Sequence, residues 1–140
     1  LPDSTFIELS QMQMQRAKEL LTEIPVLIQI GAYNTAANRA YYAAFHAMKA
    51  LEALDNYDSK KHSGVVSYFR QHYIKTGVFD ADLSDLIEVL QTTREESDYN
   101  IIVRINAEEA EMLLRSAVRF VDAIAAYLPE RCRSDQTFLN

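Results

Sequence analysis

Apolar positions along this chain recur every three or four residues, the period of a helix with one buried face. Met14, Ala17, Leu21, Ile24 and Ile28 form the first stripe and predict a helix over about 4–30. Pro25 lies inside it. Its ring clashes with the carbonyl four residues back and it donates no hydrogen bond, so a kink or break is expected near 21–23. Gly31 suits the C-terminal stop of that helix. Asn34 reads as the N-cap of a second helix running to about Leu54. DNYDS, 55–59, is a polar turn. A shorter helix is expected from about Ser59 to Tyr73, with Val65, Val66, Phe69 and Tyr73 on one side.

KTGVF, 75–79, reads as a loop, after which Asp80 can cap a helix carrying Leu83, Leu86, Ile87 and Leu90. That helix is expected to fray within REESDYN, 94–100. The last helix opens on Asn106 and Glu109, an N-x-x-E form of the capping box. Its stripe is Leu113, Ala117, Phe120, Val121, Ile124 and Leu128, and Pro129 is expected to end it. The reading is therefore one domain, 1–129, followed by a polar tail, 130–140. Four long amphipathic helices with short connections predict an all-α fold, an antiparallel up-and-down four-helix bundle with an additional short helix. The stripes are too wide and too short for a coiled coil.

Composition agrees. Three Gly and three Pro in 140 residues leave little of the turn chemistry that an all-β fold needs. The formal net charge of −6 supplies no global basic field for nucleic acid, so an RNA contact would need a local cleft, such as one formed by two paired chains. A single cysteine, Cys132, excludes an intrachain disulfide and fits a reducing compartment. The longest apolar-looking run, 24–33, is too short and interrupted to span a bilayer, and no signal peptide is visible. The chain starts at Leu1 rather than Met, which leaves room for an upstream segment. A cytoplasmic protein without membrane contact is expected.

Metal, phosphate-loop and nucleotide-fold chemistry find no motif. His46, His62 and His72 form no H-E-x-x-H and no E-x-x-H pair, and neither G-x-G-x-x-G nor G-x-x-x-x-G-K occurs. No metal or cofactor is expected. NRAYYAAFHAMKAL, 38–51, stands out instead, because it interleaves Arg and His with Tyr and Ala. Arg39, Tyr42 and His46 share a helix face, with Arg39 and His46 roughly 10 Å apart along the axis. They form either a polar strip lining a cleft, with Arg as anion anchor and His as acid or base, or packed residues with satisfied tips while Arg39 reaches outward. In REESDY, 94–99, Arg94 and Asp98 stand at i, i+4, the spacing of a surface ion pair. Glu95 and Glu96 sit unfavourably near a helix C-terminus, which hints that the segment serves something other than helix stability. Lys60, Lys61 and His62 form the one compact basic cluster, suited to a phosphate or simply to solvent.

In order, YNTAANRAYYAAFHAMKAL, SKKHSGVVSYFRQHYIKTG and REESDY resemble the HEPN family (higher eukaryotes and prokaryotes nucleotide-binding domain), over about residues 10–128. The match is closest to small prokaryotic single-domain members. The resemblance implies a four-helix bundle with a short extra helix, a homodimer and a minimal nucleotidyltransferase as binding partner, often as a toxin–antitoxin pair. Active members resemble metal-independent endoribonucleases with an R-x4-6-H motif that dimerisation brings into a cleft. Arg94 matches the arginine, and Ser97 and Asp98 the polar interior. No histidine follows His72, and Tyr99 stands where it would be expected. Tyrosine, with a pKa of about 10, is a poor proton acceptor near neutrality.

Arg39 and His46 satisfy R-x6-H as a bare pattern, but in the second helix. Asn38, Arg39, Tyr42 and His46 are expected to pack beside Arg94, Ser97, Asp98 and Tyr99, as a nucleotide or RNA cleft or as a polar network that fixes the dimer. The leading expectation is a dimeric HEPN-type module acting with a nucleotidyltransferase, its nuclease motif degenerate. The alternatives are an endoribonuclease toxin using Arg94, Asp98 and His46, and a helical adaptor with an unrelated partner.

Overall fold

The computed structural model describes the backbone of residues 4–139 and the side chains of 4–132. Five α-helices follow in order: α1 (Ser4–Gln29), α2 (Tyr33–Leu54), α3 (His62–Phe69), α4 (Ala81–Tyr99) and α5 (Ala107–Leu139). α3 runs on through one π-helical turn, Arg70–Ile74. No strand occurs among the described residues. The protein is an all-α bundle of four long helices with a short extra one.

α2 touches α1, α3, α4 and α5, whereas α1 and α4 do not meet. The long helices thus sit at four corners, with α2 and α5 in contact across the diagonal. The sequence explains why α2 takes this place. Ala36, Ala37, Ala40, Ala43, Ala44, Ala47 and Ala50 are all buried. Alanine costs no side-chain entropy and lets neighbouring backbones approach closely. α5 supplies the facing bulk through Leu113, Phe120, Val121 and Ile124.

The α1–α2 turn follows its glycine. Gly31 has φ +79°, the Ala32 N–H donates to the Leu27 carbonyl at 2.8 Å and the Gly31 N–H to Ile28 at 3.0 Å, a Schellman closure. The capping box of α5 also forms. The Glu109 N–H donates to Asn106 Oδ1 at 2.8 Å, and the Asn106 N–H reaches Glu109 Oε1 at 3.4 Å.

Several local expectations are overturned. α1 does not break at 21–23: it is continuous through Pro25. Pro25 is exposed while Leu20 and Ile24 are buried, so the ring lies on the water side of the helix. Pro129 likewise fails to end α5, which continues to Leu139; Pro129 is exposed too. Asn34 does not cap α2, whose helix begins one residue earlier without a side-chain cap. Its amide instead ties down the α4–α5 loop, donating to the Val103 carbonyl at 3.1 Å and accepting from the Ile105 N–H at 3.0 Å. α3 starts at His62 rather than Ser59, and Asp80 holds the N-cap position of α4 without a side-chain cap bond. Of the proposed tail, the side chains of 133–140 lie outside the described residues.

Arg131 explains part of the α5 continuation. Its Nη2 donates to Asp55 Oδ1 at 2.6 Å and its Nη1 to the Tyr73 hydroxyl at 2.9 Å. The other Asp55 oxygen accepts from Tyr73 at 2.6 Å and from Tyr68 at 3.1 Å. Burial and the Asp55 hydrogen bond push the Tyr68 phenol up to about 12. This end of the bundle opens on a cavity of about 680 Å3 lined by Asp55, Tyr68, His72, Tyr73, Tyr127 and Arg131 among others.

Two outcomes follow. Asp55→Asn removes the charge facing a mostly buried Arg131 and is expected to cost about 2–3 kcal/mol in urea unfolding. One turn back, Glu52 is 2 % exposed and its Oε2 has no partner. Burial pushes its carboxyl up to about 9, with Asp55 and Asp58 adding to the rise and Lys49 opposing it. The folded chain therefore keeps a proton that the unfolded chain releases in the ordinary carboxylate range. Stability from this group is full below that range and is lost as pH rises through about 9. Glu52→Gln is expected to flatten the fall in Tm between pH 5 and 9, measured by thermal melts across that window.

Candidate functional site

Arg94 is buried because it continues an apolar stripe. Leu83, Ile87, Leu90 and Arg94 are spaced four, three and four along α4, and all four face inward. Arg94 is 8 % exposed. Its guanidinium carbon lies 4.6 Å from the ring centre of Tyr41 and 5.8 Å from that of Tyr42. The expected surface ion pair is thus a buried one at its arginine end, and a loose one. Arg94 Nη1 and Asp98 Oδ2 stand 3.7 Å apart, beyond hydrogen-bond range. The Arg94 Nε is buried with no partner.

The balance is unfavourable. Two cation–π contacts at about 0.5–2 kcal/mol each do not offset the several kcal/mol of desolvating a cation.

α2 supplies the other wall. Asn38 Nδ2 donates to Asp98 Oδ2 at 3.1 Å, and Arg39 Nη1 donates to Asn38 Oδ1 at 2.8 Å. Arg39 Nε pairs with Glu23 Oε1 of α1 at 3.4 Å. A polar relay thus runs Glu23–Arg39–Asn38–Asp98–Arg94 across three helices. Ser97 donates to the Arg94 carbonyl at 3.2 Å.

The expected residues divide on inspection. Asn38, Tyr42, Arg94, Ser97 and Asp98 come together, with Arg39 joining through Asn38. His46 turns toward α1, where its Nδ1 lies 2.7 Å from Gln13 Oε1. Burial first, then Arg16, Lys49 and His62, hold its imidazole below the ordinary range. Tyr99 points out at 80 % exposure.

The basic cluster splits as well. Lys60 and Lys61 are exposed, while His62 turns inward. Its Nδ1 is 3.1 Å from the Tyr41 hydroxyl, and its ring packs on Phe45 at 4.4 Å between centres and edge-on to Tyr42 at 5.6 Å. Burial, then the charges of Arg94 and Lys49, hold its imidazole below the ordinary range. Gly64 makes this possible. A Cβ there would collide with Ser59, whose hydroxyl and the Lys61 backbone bond each other at 3.1 and 3.2 Å to close the loop before α3.

Sequence reasoning passed over Tyr41, and it set His62 with Lys60 and Lys61 rather than beside Arg94. The signal was present for His62: it stands at i to Val65, Val66 and Phe69 at i+3, i+4 and i+7, the apolar stripe of α3. Tyr41, fully buried, is the shared surface on which Arg94 and His62 meet. Burial pushes its phenol up to about 12, against the opposing charge of Arg94. Among the described residues, no three His, Cys, Asp or Glu side chains gather as a metal-holding group, and no helix is long and apolar enough to cross a membrane.

A helical bundle whose second helix carries NRAYY against an arginine late in the fourth defines a class. The chain belongs to the HEPN domain family, whose model matches residues 10–127. It is similar to "Putative toxin MJ0142" of Methanocaldococcus jannaschii, 33% identical over 115 residues, 82% of this chain and 78% of that protein. It is also similar to a protein named "UPF0332 protein" from Thermotoga maritima, 30% identical over 120 residues, 86% of this chain and 91% of that one. A third relative, "Putative toxin MJ0605" of Methanocaldococcus jannaschii, is 33% identical over 120 residues, 86% of this chain and 89% of its own length.

If Arg94 is retained for a ligand rather than for the fold, removing it leaves stability intact. Arg94→Leu fills a position already in an apolar stripe and is expected to unfold in urea within about 1 kcal/mol of the parent, or to be more stable. A loss of several kcal/mol would instead make Arg94 a structural residue.

Proposed function

We propose that this chain is a HEPN-type helical module that forms a homodimer and acts with a minimal nucleotidyltransferase partner. Its role is that of a toxin–antitoxin-like pair or of RNA or nucleotide binding, without R-x4-6-H nuclease chemistry. One observation carries the reading: Arg94 is buried, underbonded and framed by Tyr41, Tyr42, Asn38 and Asp98, while Tyr99, in the place of the motif's histidine, points away from it. A motif that keeps its arginine and lacks a proton acceptor after it suits binding better than cleavage. The relatives named as toxins support the toxin-like side of the reading.

Exposed apolar side chains support association. Tyr99, Ile101 and Ile102 are each at least 80 % exposed just beyond the Arg94 turn. Asn34 holds their loop against the start of α2, where Ile30 is 71 % exposed. A patch of this kind marks a surface that another chain covers.

A ribonuclease toxin is the second reading, and His62 favours it, because it brings an imidazole to Tyr41 beside Arg94. The test is cleavage of a mixed RNA by the purified protein in EDTA, with Arg94→Ala and His46→Ala alongside. We expect a dimer by light scattering and no cleavage. Cleavage that Arg94→Ala abolishes would replace this reading with the ribonuclease one.

A further inference from the structure

Arg94 and His62 reach the same ring from different elements, and neither is fully bonded. Among the described residues the Arg94 guanidinium makes no hydrogen bond, only the 3.7 Å ion pair. His62 commits Nδ1 to Tyr41, which leaves Nε2 as its second polar atom. Both groups lie among cationic side chains of an acidic chain. Lys49 and His46 on α2 and Arg94 on α4 bear on His62, with Lys60 and Lys61 beside it in sequence. Two carboxylates temper this charge: Asp58 pairs with Lys49 at 3.4 Å and Asp98 stands beside Arg94.

We propose that Arg94 and His62 form a two-point site for a phosphate group, Arg94 supplying charge and His62 Nε2 a hydrogen bond, with the Tyr41 hydroxyl fixing the imidazole. This deepens the proposed nucleotide or RNA cleft and rests on that reading; it assigns the site's second arm to α3 rather than to the residues after Arg94. The physical case is the unbalanced guanidinium. A mostly buried cation without a protein hydrogen bond, its Nε sealed from water, gains more from an arriving anion than an exposed, solvated lysine does. Tyr41 ties the two arms together, since its hydroxyl orients His62 and its ring face carries Arg94.

Proton uptake follows from the same geometry. In the empty site burial, and after it the Arg94 and Lys49 charges, disfavour the charged form of His62. A phosphate arriving at Arg94 reverses the local field, and the imidazole then takes a proton, with the Tyr41 oxygen accepting from Nδ1–H. Binding is therefore tighter at lower pH, since the occupied site holds a proton that the empty one lacks.

The experiment is NMR titration of the His62 imidazole from pH 5 to 8, alone and with each of three probes: inorganic phosphate, 5′-AMP and a 2′-O-methyl RNA oligonucleotide that cannot be cleaved at its 2′ position. At least one probe is expected to raise the His62 midpoint by about one pH unit. Affinity for that probe is expected to fall about tenfold as pH rises through the titration. Which probe acts separates a free phosphate, a nucleotide and a polynucleotide as the source. Arg94→Gln is expected to abolish the ligand-induced step, and His62→Gln to weaken binding and flatten its pH dependence. Lys49→Met, which leaves both arms in place, is expected to raise the free midpoint and keep the step.

If no probe moves His62, or if a bound probe binds Arg94→Gln and His62→Gln as tightly as the parent, the proposal is wrong. Light scattering on the same sample keeps the two readings apart: a dimer without phosphate binding removes only this site, and a monomer that binds phosphate removes only the dimeric module.

Discussion

The burial of α2 on nearly every side is the constraint from which the rest follows. A helix touched by all the others needs many small residues for close approach, and seven of its alanines are buried alongside larger side chains such as Tyr41, Met48 and Leu51. Any polar residue on such a helix has to find its partner within the bundle. Asn38 finds Asp98, Tyr41 finds His62, and His46 finds Gln13. Glu52 has one oxygen without a partner and holds its proton instead. The odd composition of residues 38–51 is thus neither only packing nor only chemistry. A crowded central helix turns each of its polar side chains into a fixed point.

Helical period made the bundle legible, because it needs only the spacing of apolar residues. The same reasoning misplaced both prolines, since a proline ring on the water side leaves the packed face of its helix intact, and Pro25 and Pro129 are both exposed. It misplaced Asn34 for a related reason. A residue that can cap a helix can also bond any backbone that comes near, and residues 103–105 come near only in the fold.

The site was half legible. Arg94, Asp98, Asn38 and Tyr42 could be named from motif and spacing. The spacing of Arg94 and Asp98 reads as a surface ion pair because arginine is mostly exposed, although Arg94 also falls on the stripe of Leu83, Ile87 and Leu90. His62 was grouped with Lys60 and Lys61 by adjacency, although helical period places it with Val65, Val66 and Phe69. In both cases the period outweighed the residue type, and an ionisable side chain went inside. Which partner each would meet was out of reach, because α3 and α4 are brought to Tyr41 only through their packing on α2.

The two ends of α2 carry opposite kinds of polar burial. At the Asp55 end the ion pair is short and saturated: one carboxylate accepts from Arg131, Tyr73 and Tyr68. Such a cluster can offset its own desolvation and holds α5 onto the π turn. At the Arg94 end the ion pair is long and the guanidinium underbonded, which lowers stability without an internal return. A bundle able to build the first arrangement does not lack the means to complete the second. Under the proposed two-point site, the acceptors that Arg94 lacks within the bundle come from an oxyanion, whose geometry suits a guanidinium closely.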